Sequence, residues 1–289
     1  MLFPRTGSPS RLKYILPSFI PRCRNIATTS NFREVVSIRG STQDSISTEE
    51  PVVLKKWFND IPAIKKWFCP VAADSSHHEL DLGYLNQYGN TMVPLELTCL
   101  EGTRPVSFQR SEAPLSFLLM HMGTSDQSSL LYLAQCPLGD LPSGLQGDLP
   151  APDLINRIGR GDIYSSSLWM GRAPTNTPLH RDPNPNLFVQ LVGRKVVRLM
   201  EPDDGRQLYN QSRVGAGHAN MRGEEMMVGK EMEQLDQAVW GEGAERLGAV
   251  RGVEAVLESG DALLIPLGWW HAVRGVGQGA NASVNWWFR

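Results

Sequence analysis

Cysteine is scarce in this chain: Cys23, Cys69, Cys99 and Cys136 are the only four in 289 residues. None forms a Cys-x-x-Cys pair or falls at zinc-ligand spacing, which argues against a disulfide-stapled scaffold and against a zinc finger. No apolar run approaches the ~20 residues that a membrane-spanning helix needs. An excess of one charge is also missing, since 28 Lys and Arg stand against 30 Asp and Glu, a formal net of −2. That balance removes the simplest electrostatic argument for nucleic-acid binding. With 41% hydrophobic and 20% charged residues, the composition is that of a globular protein rather than a disordered, collagen-like or coiled-coil chain. The length allows one large domain or two small ones, with enough sequence for a sizeable core.

Acidic residues are absent before Glu34, whereas six basic ones precede it: Arg5, Arg11, Lys13, Arg22, Arg24 and Arg33. Ser and Thr are frequent between them. A basic, hydroxyl-rich, acid-free start reads as a mitochondrial transit peptide over residues 1–33, with a cytosolic or nuclear address as the alternative. A secretory signal fits worse, because the apolar stretch Tyr14 to Ile20 is short and broken by Pro17. Without residues 1–33 the chain keeps 22 basic against 30 acidic residues, a net of −8, and a body that acidic is a poor general binder of phosphate backbones.

Residues 34–50 are polar and carry no sustained period, so they are expected to be a linker. The domain is expected over 51–289, with a mixed N-terminal part over 51–125 and a β-rich core over 126–289. In the first part, Val52 to Leu54 reads as a strand. Lys55-Lys56-Trp57-Phe58, echoed by Lys65-Lys66-Trp67-Phe68, reads as a strand leading to a helix with aromatic anchors. Met92 to Leu97 reads as a strand in which Pro94 marks an edge or an end. Ser111 to Met122 shows a helical stripe of Leu115, Leu118, Leu119 and Met122, and Ser129 to Gln135 is a further strand. From Ile163 onward short strands dominate: Ser166–Met170, Leu187–Val192, Lys195–Met200, Ala262–Pro266 and Ala282–Phe288. Gly193-Arg194 reads as a hairpin turn and Gly260-Asp261 as a turn feeding a strand. An insertion over about 203–258 is expected to be part helical around Glu224 to Trp240. Many short strands in such a segment suggest a barrel or sandwich behind a mixed helical half.

The informative stretch is Thr177-Pro178-Leu179-His180-Arg181-Asp182. In a strand, residues two apart share a face, so His180 and Asp182 offer an imidazole and a carboxylate to one divalent metal. A third ligand must come from elsewhere, and His271 in Pro266-Leu267-Gly268-Trp269-Trp270-His271 follows a strand among bulky apolar residues. Two His and one carboxylate make the facial triad of non-haem Fe(II) oxygenases, which leaves positions open for cosubstrate and oxygen. Taken alone, a His-x-Asp pair more often lies on a solvated face, and a lone His more often packs in a core.

The neighbouring residues Asn186, Phe188, Gln190, Gly193 and Lys195, with Thr177 upstream, change that balance. Together they resemble the JmjC family of Fe(II)- and 2-oxoglutarate-dependent oxygenases. The chain is most similar to the family's small protein hydroxylases, which include the asparaginyl hydroxylase acting on hypoxia-inducible factor, and among them to the arginyl hydroxylase branch. The likeness begins at Pro51-Val52-Val53-Leu54, includes Pro62 to Trp67 and Tyr132-Leu133-Ala134-Gln135, and runs to Trp287. It implies a mainly β fold with flanking helices, the double-stranded β-helix or jelly-roll of the cupins, behind an N-terminal α/β half. It also implies Fe(II) held by His180, Asp182 and His271, with 2-oxoglutarate and O2 as cosubstrates. By the same resemblance Thr177 and Lys195 grip the far carboxylate of 2-oxoglutarate, and Asn186, Tyr132 and Asn285 contact the cosubstrate. Trp169, Phe188 and Trp287 are implied as walls of the pocket; plain core packing is an equal reading for the two Trp residues. A buried carboxylate left without such partners would be costly.

The remaining polar residues carry less. His77, His78 and His121 are expected at the surface or in ordinary core, His218 and Asp203-Asp204 in solvated loops, and Cys136 in a structural role. The expected substrate is an amino-acid side chain of a protein or peptide, and a net of −8 beyond the leader suits a basic one. Demethylation of N-methyl-lysine, hydroxylation of a tRNA base and a non-catalytic cupin binding module are the alternatives. A monomer without a membrane span is expected, with a dimer left open.

Overall fold

Strands whose side chains alternate between two environments have to bury one face, and strands buried on both faces read as continuous apolar runs. The computed structural model describes residues 32–40, 46–71, 77–102, 104–124, 128–212, 227–241 and 252–289, all within one unit, Asn31–Arg289. The first half contains β1 (Phe32–Glu34), β2 (Val36–Arg39), β3 (Val52–Lys55), α1 (Pro62–Lys66), β4 (Phe68–Pro70), β5 (His78–Leu80), α2 (Leu82–Leu85), β6 (Met92–Glu101), β7 (Arg104–Pro114), α3 (Leu115–Met122) and β8 (Ser129–Pro137). The second half contains α4 (Ser143–Gly147), α5 (Leu154–Ile158), β9 (Ile163–Arg172), β10 (Thr175–Arg181), β11 (Asn186–Val192), β12 (Arg194–Met200), α6 (Pro202–Ser212) and α7 (Lys230–Trp240). It closes with β13 (Gly252–Glu258), β14 (Ala262–Ile265), β15 (Trp270–Val276) and β16 (Ala280–Phe288).

A nine-stranded sheet, in the order β2-β3-β14-β11-β16-β9-β8-β6-β7, faces a five-stranded one, β1-β13-β12-β15-β10. The space between them is filled from both sides: Val53, Phe188, Leu263 and Ile265 from the larger sheet, Val197, Leu199, Ala255, Leu257 and Val273 from the smaller. Outside the larger sheet, Leu187, Val189, Leu264 and Trp286 pack on Trp67, Leu118, Leu119 and Met122 of the helical half. Outside the smaller one, Met200, Trp270 and Ala272 meet Leu208 and Tyr209 of α6 and Leu235 and Val239 of α7. All seven residues of β11 and all nine of β16 are buried, because both strands are covered on two faces. This is the jelly-roll expected from the sequence.

Several local expectations change. The segment expected as a linker carries β2 and the last residue of β1: β1 pairs parallel with β13, and β2 parallel with β3. Between them Val35 enters the inter-sheet core at 4% exposure, so β1 and β2 join the edges of both sheets. Phe32 and Arg33, counted with the leader, lie in β1, while 1–31 fall outside the described residues. β7 was not anticipated, and it takes Ser111 to Pro114 from the expected helix, so α3 starts at Leu115. Pro94 lies in β6 at the point where pairing with β8 stops and only β7 remains alongside, so the missing N–H falls where the strand is locally an edge.

Gly193-Arg194 is no hairpin. β11 and β12 lie in different sheets, and Gly193, at φ +72°, carries the chain across where a Cβ would sit 2.6 Å from the Ala280 carbonyl oxygen. Gly260 likewise turns at φ +81° between β13 and β14 of opposite sheets. The insertion is shorter than expected, because β13 belongs to the core and α6 takes up its start. Asp203 and Asp204 stand in the first turn of α6, where carboxylates suit the helix dipole. His218 lies outside the described residues.

Candidate functional site

β10 and β15 are antiparallel neighbours at the edge of the smaller sheet, and their register sets His180 directly opposite His271. Side chains of directly opposed residues leave the same face, so two histidines far apart in sequence come to lie with ring centroids 4.1 Å apart. The register shifts between Thr177 and His180, a bulge of the kind that re-aims side chains near functional sites. His180 Nδ1 lies 2.9 Å from the Pro178 carbonyl oxygen and His271 Nδ1 lies 3.4 Å from that of Trp269. With Nδ1–H donating to a carbonyl, each Nε2 keeps its lone pair for the pocket.

β10 ends at Arg181, so Asp182 stands just beyond the strand rather than within it, yet its carboxylate reaches the same point. Oδ1 lies 3.8 Å from His180 Nε2 and Oδ2 lies 3.6 Å from His271 Nε2. The three ligand atoms are all within 4.8 Å of one another, too far for hydrogen bonds and close enough to share one ion. Burial of Asp182 opposes its ionisation, but the neighbouring His271 and His180 and a hydrogen bond from Asn186 hold its carboxyl below the usual range; the Trp287 indole, which makes no hydrogen bond of normal geometry, adds to this. His271 is pushed down to about 4, by burial first and then by His180, which keeps its imidazole neutral, as a metal ligand must be.

Behind Asp182 runs a relay of amides. Asn186 Nδ2 donates to Asp182 Oδ2 at 2.8 Å, and Asn285 Nδ2 donates to Asn186 Oδ1 at 2.9 Å. The two asparagines, implied as cosubstrate contacts, therefore brace a carboxylate here. The Asn285 Oδ1 atom is buried without a partner.

Lys195, the second residue of β12, is 2% exposed. Its Nζ donates to Ser283 Oγ at 2.6 Å, lies 3.4 Å from the Tyr132 hydroxyl, and sits 5.2 Å from the centre of the Phe188 ring. No carboxylate among the described residues pairs with it, and burial drives it down to about 7. Burial raises the Tyr132 phenol above its ordinary value, so that hydroxyl stays protonated. Trp169, Trp287 and Ala134 cluster with Tyr132, and both indole N–H groups are buried without partners.

One pocket thus gathers all eleven expected residues: Tyr132, Trp169, Thr177, His180, Asp182, Asn186, Phe188, Lys195, His271, Asn285 and Trp287. Sequence reasoning missed Gln135, Val273 and Ser283. Gln135 lines the pocket with a positive φ of 51°, at a shift of register in β8 that no pattern announces. Ser283 could have been found, since it precedes Asn285 and Trp287 at strand period. The other candidates stay structural: His77 pairs with Glu79 at 3.0 Å, His121 lies 3.4 Å from Ser129 Oγ, and burial pushes the Cys136 thiol up to about 12.

The family model for a cupin-like domain matches residues 40–289. The chain is 29% identical over 276 residues to "Lysine-specific demethylase JMJ30" of Arabidopsis thaliana, covering 94% of this chain and 57% of that protein. It is 27% identical over 253 residues to "Lysine-specific demethylase 8" of Xenopus tropicalis, covering 83% and 48%. To "Jumonji C domain-containing protein 5" of Drosophila melanogaster it is 29% identical over 249 residues, covering 83% and 54%. The chain spans about half the length of these curated relatives.

Proposed function

The chain belongs to the cupin-like JmjC family, and on that premise we propose that it is an Fe(II)- and 2-oxoglutarate-dependent oxygenase that hydroxylates an amino-acid side chain of a protein or peptide. The observation that carries this reading is Lys195. A buried ammonium without a carboxylate partner, in the same pocket as a His-Asp-His cluster, is costly unless an anion joins it. 2-Oxoglutarate supplies one end for that ammonium and a chelating end for the metal. Two imidazoles and a carboxylate are the donor set that suits Fe(II) with open positions.

His180, Asp182 and His271 would hold the iron, with Asn186 and Asn285 fixing the carboxylate. Lys195, Thr177 and the Tyr132 hydroxyl would seat the far carboxylate of the cosubstrate. Bound there, Fe(II) with 2-oxoglutarate and O2 supplies the power to oxidise a C–H bond, with succinate and CO2 as coproducts. The protein's own part is to orient the target carbon and to keep water out, which falls to the wall of Trp169, Trp287, Tyr132 and Phe188. Those ring faces accept an aliphatic or cationic side chain, in keeping with the acidic body of the chain and with the arginyl hydroxylase likeness. The names of the relatives favour a second reading, removal of methyl groups from lysine, which the same centre performs when the reactive C–H belongs to an N-methyl group. Incubation with Fe(II), 2-oxoglutarate and peptide substrates, followed by mass spectrometry, separates the two. Hydroxylation adds one oxygen atom, and demethylation removes a methyl group as formaldehyde. We place the enzyme in mitochondria on the basic, acid-free N terminus.

A further inference from the structure

Ser283 lies outside the residues that the sequence pointed to. On β16 it is followed at two-residue spacing by Asn285 and Trp287, so all three side chains leave the strand on the pocket side. It is 0% exposed, and its Oγ, at 2.6 Å, is the nearest acceptor that the Lys195 ammonium has among the described residues. Its cross-strand neighbour Gln190 makes no hydrogen bond to that ammonium: its amide nitrogen donates to the Val192 carbonyl at 2.6 Å and to Asn281 Oδ1 at 3.1 Å, and its Oε1 is buried without a partner. The Tyr132 hydroxyl stands off at 3.4 Å. A lysine stem is long and flexible, and its head group is a point charge that goes where acceptors hold it.

We infer that Ser283 is a positioning residue: its hydroxyl oxygen anchors the Lys195 ammonium in the pocket and so makes the pocket select a 2-oxo acid with a second, distal carboxylate over one without. The inference rests on the oxygenase reading, which assigns Lys195 to that carboxylate. With the anchor in place the ammonium waits where the carboxylate arrives, and less ordering has to be done on binding. Without it the buried charge keeps, among the described residues, the Tyr132 hydroxyl at 3.4 Å as its hydrogen-bond acceptor, and its proton is held less well.

The test uses the full chain loaded with Mn(II) and calorimetric titration of two ligands. These are 2-oxoglutarate and 2-oxobutanoate, which has the same chelating head but no distal carboxylate. Ser283→Ala is expected to lose about tenfold or more in 2-oxoglutarate affinity, the worth of a hydrogen bond to a charged group, with 2-oxobutanoate binding unchanged. The pH above which 2-oxoglutarate affinity declines is expected to move down in the variant, a readout that a packing defect alone would leave in place. Ser283→Cys, of nearly the same volume and with a weaker acceptor, is expected to fall between, and carries the comparison if the alanine variant does not fold. Unchanged 2-oxoglutarate affinity in the variants, or equal losses for both ligands, would overturn the inference. A wild type that binds 2-oxoglutarate no better than 2-oxobutanoate would bring down the oxygenase reading itself, and the inference with it.

Discussion

At the scale of single residues, the pocket is a set of groups whose charges are unfinished. His271 is kept neutral by burial, Asp182 is kept ionised by its neighbours, and Lys195, which burial drives down to about 7, has no carboxylate partner among the described residues. His180→Ala removes one donor of three and is expected to abolish tight Fe(II) binding while the melting temperature of the metal-free protein changes little; retained Fe(II) affinity would refute the ligand assignment. Lys195→Ala is expected to weaken 2-oxoglutarate by two to four orders of magnitude, since breaking a buried charge pair costs roughly 3–5 kcal/mol, with metal binding preserved. The pH dependence has a definite sign. The free ammonium titrates near 7 and only the charged form attracts a carboxylate, so affinity is level below pH 7 and falls about tenfold per unit above it. Titrations at a series of pH values check this, and a flat profile across that range would contradict it. Asn186→Ala unties Asp182 and is expected to cost about 10–100-fold in metal affinity, as loss of a supporting hydrogen bond does elsewhere.

At the scale of elements, the site depends on how strands are registered. The His-x-Asp pair and His271 were legible as a donor set from their chemistry, although Asp182 stands beyond β10 rather than in the expected strand, and Lys195 was singled out by the resemblance to the JmjC oxygenases. The relay through Asn186 to Asp182 was not, because it depends on where β10 ends and how β16 lies beside β11. Nor was the passage of the chain between sheets at Gly193, since a glycine of positive φ reads alike in a hairpin and in a crossing. The polar stretch before Pro51 hid a clasp: among its described residues Val35 is fully buried, Ile38 and Ile46 pack half-buried against the other core, and apolar residues so scattered show no period. A chain starting at residue 40 loses that burial, worth about 1.5–3 kcal/mol, together with both parallel pairings. It is expected to melt several degrees below a chain starting at Phe32, at about 2–4 °C per kcal/mol for a domain of this size. Identical melting curves for the two chains would show that β1 and β2 contribute nothing.

At the scale of the whole molecule, the two sheets bury a pocket whose protonation links stability to pH. His271 has a folded-state value of about 4 against 6.5 ordinarily, so between these limits the unfolded chain binds more protons. The metal-free protein is therefore expected to lose stability as pH falls from about 6.5 toward 4, and metal affinity is expected to fall in the same window, because protons compete for the imidazoles. Denaturant melts across that window test it, and constant stability would mean that His271 is exposed to solvent. The proposed mitochondrial address belongs to this scale as well: residues 1–33 fused to a fluorescent reporter are expected to carry it to mitochondria, and a diffuse cytosolic signal would contradict that. Most directly, the central claim is tested by following the conversion of 2-oxoglutarate to succinate under air, with and without Fe(II), in the wild type and in His180→Ala. The account predicts succinate formation that requires Fe(II) and is lost in the variant. Iron-independent turnover, or equal rates in the two proteins, would contradict it.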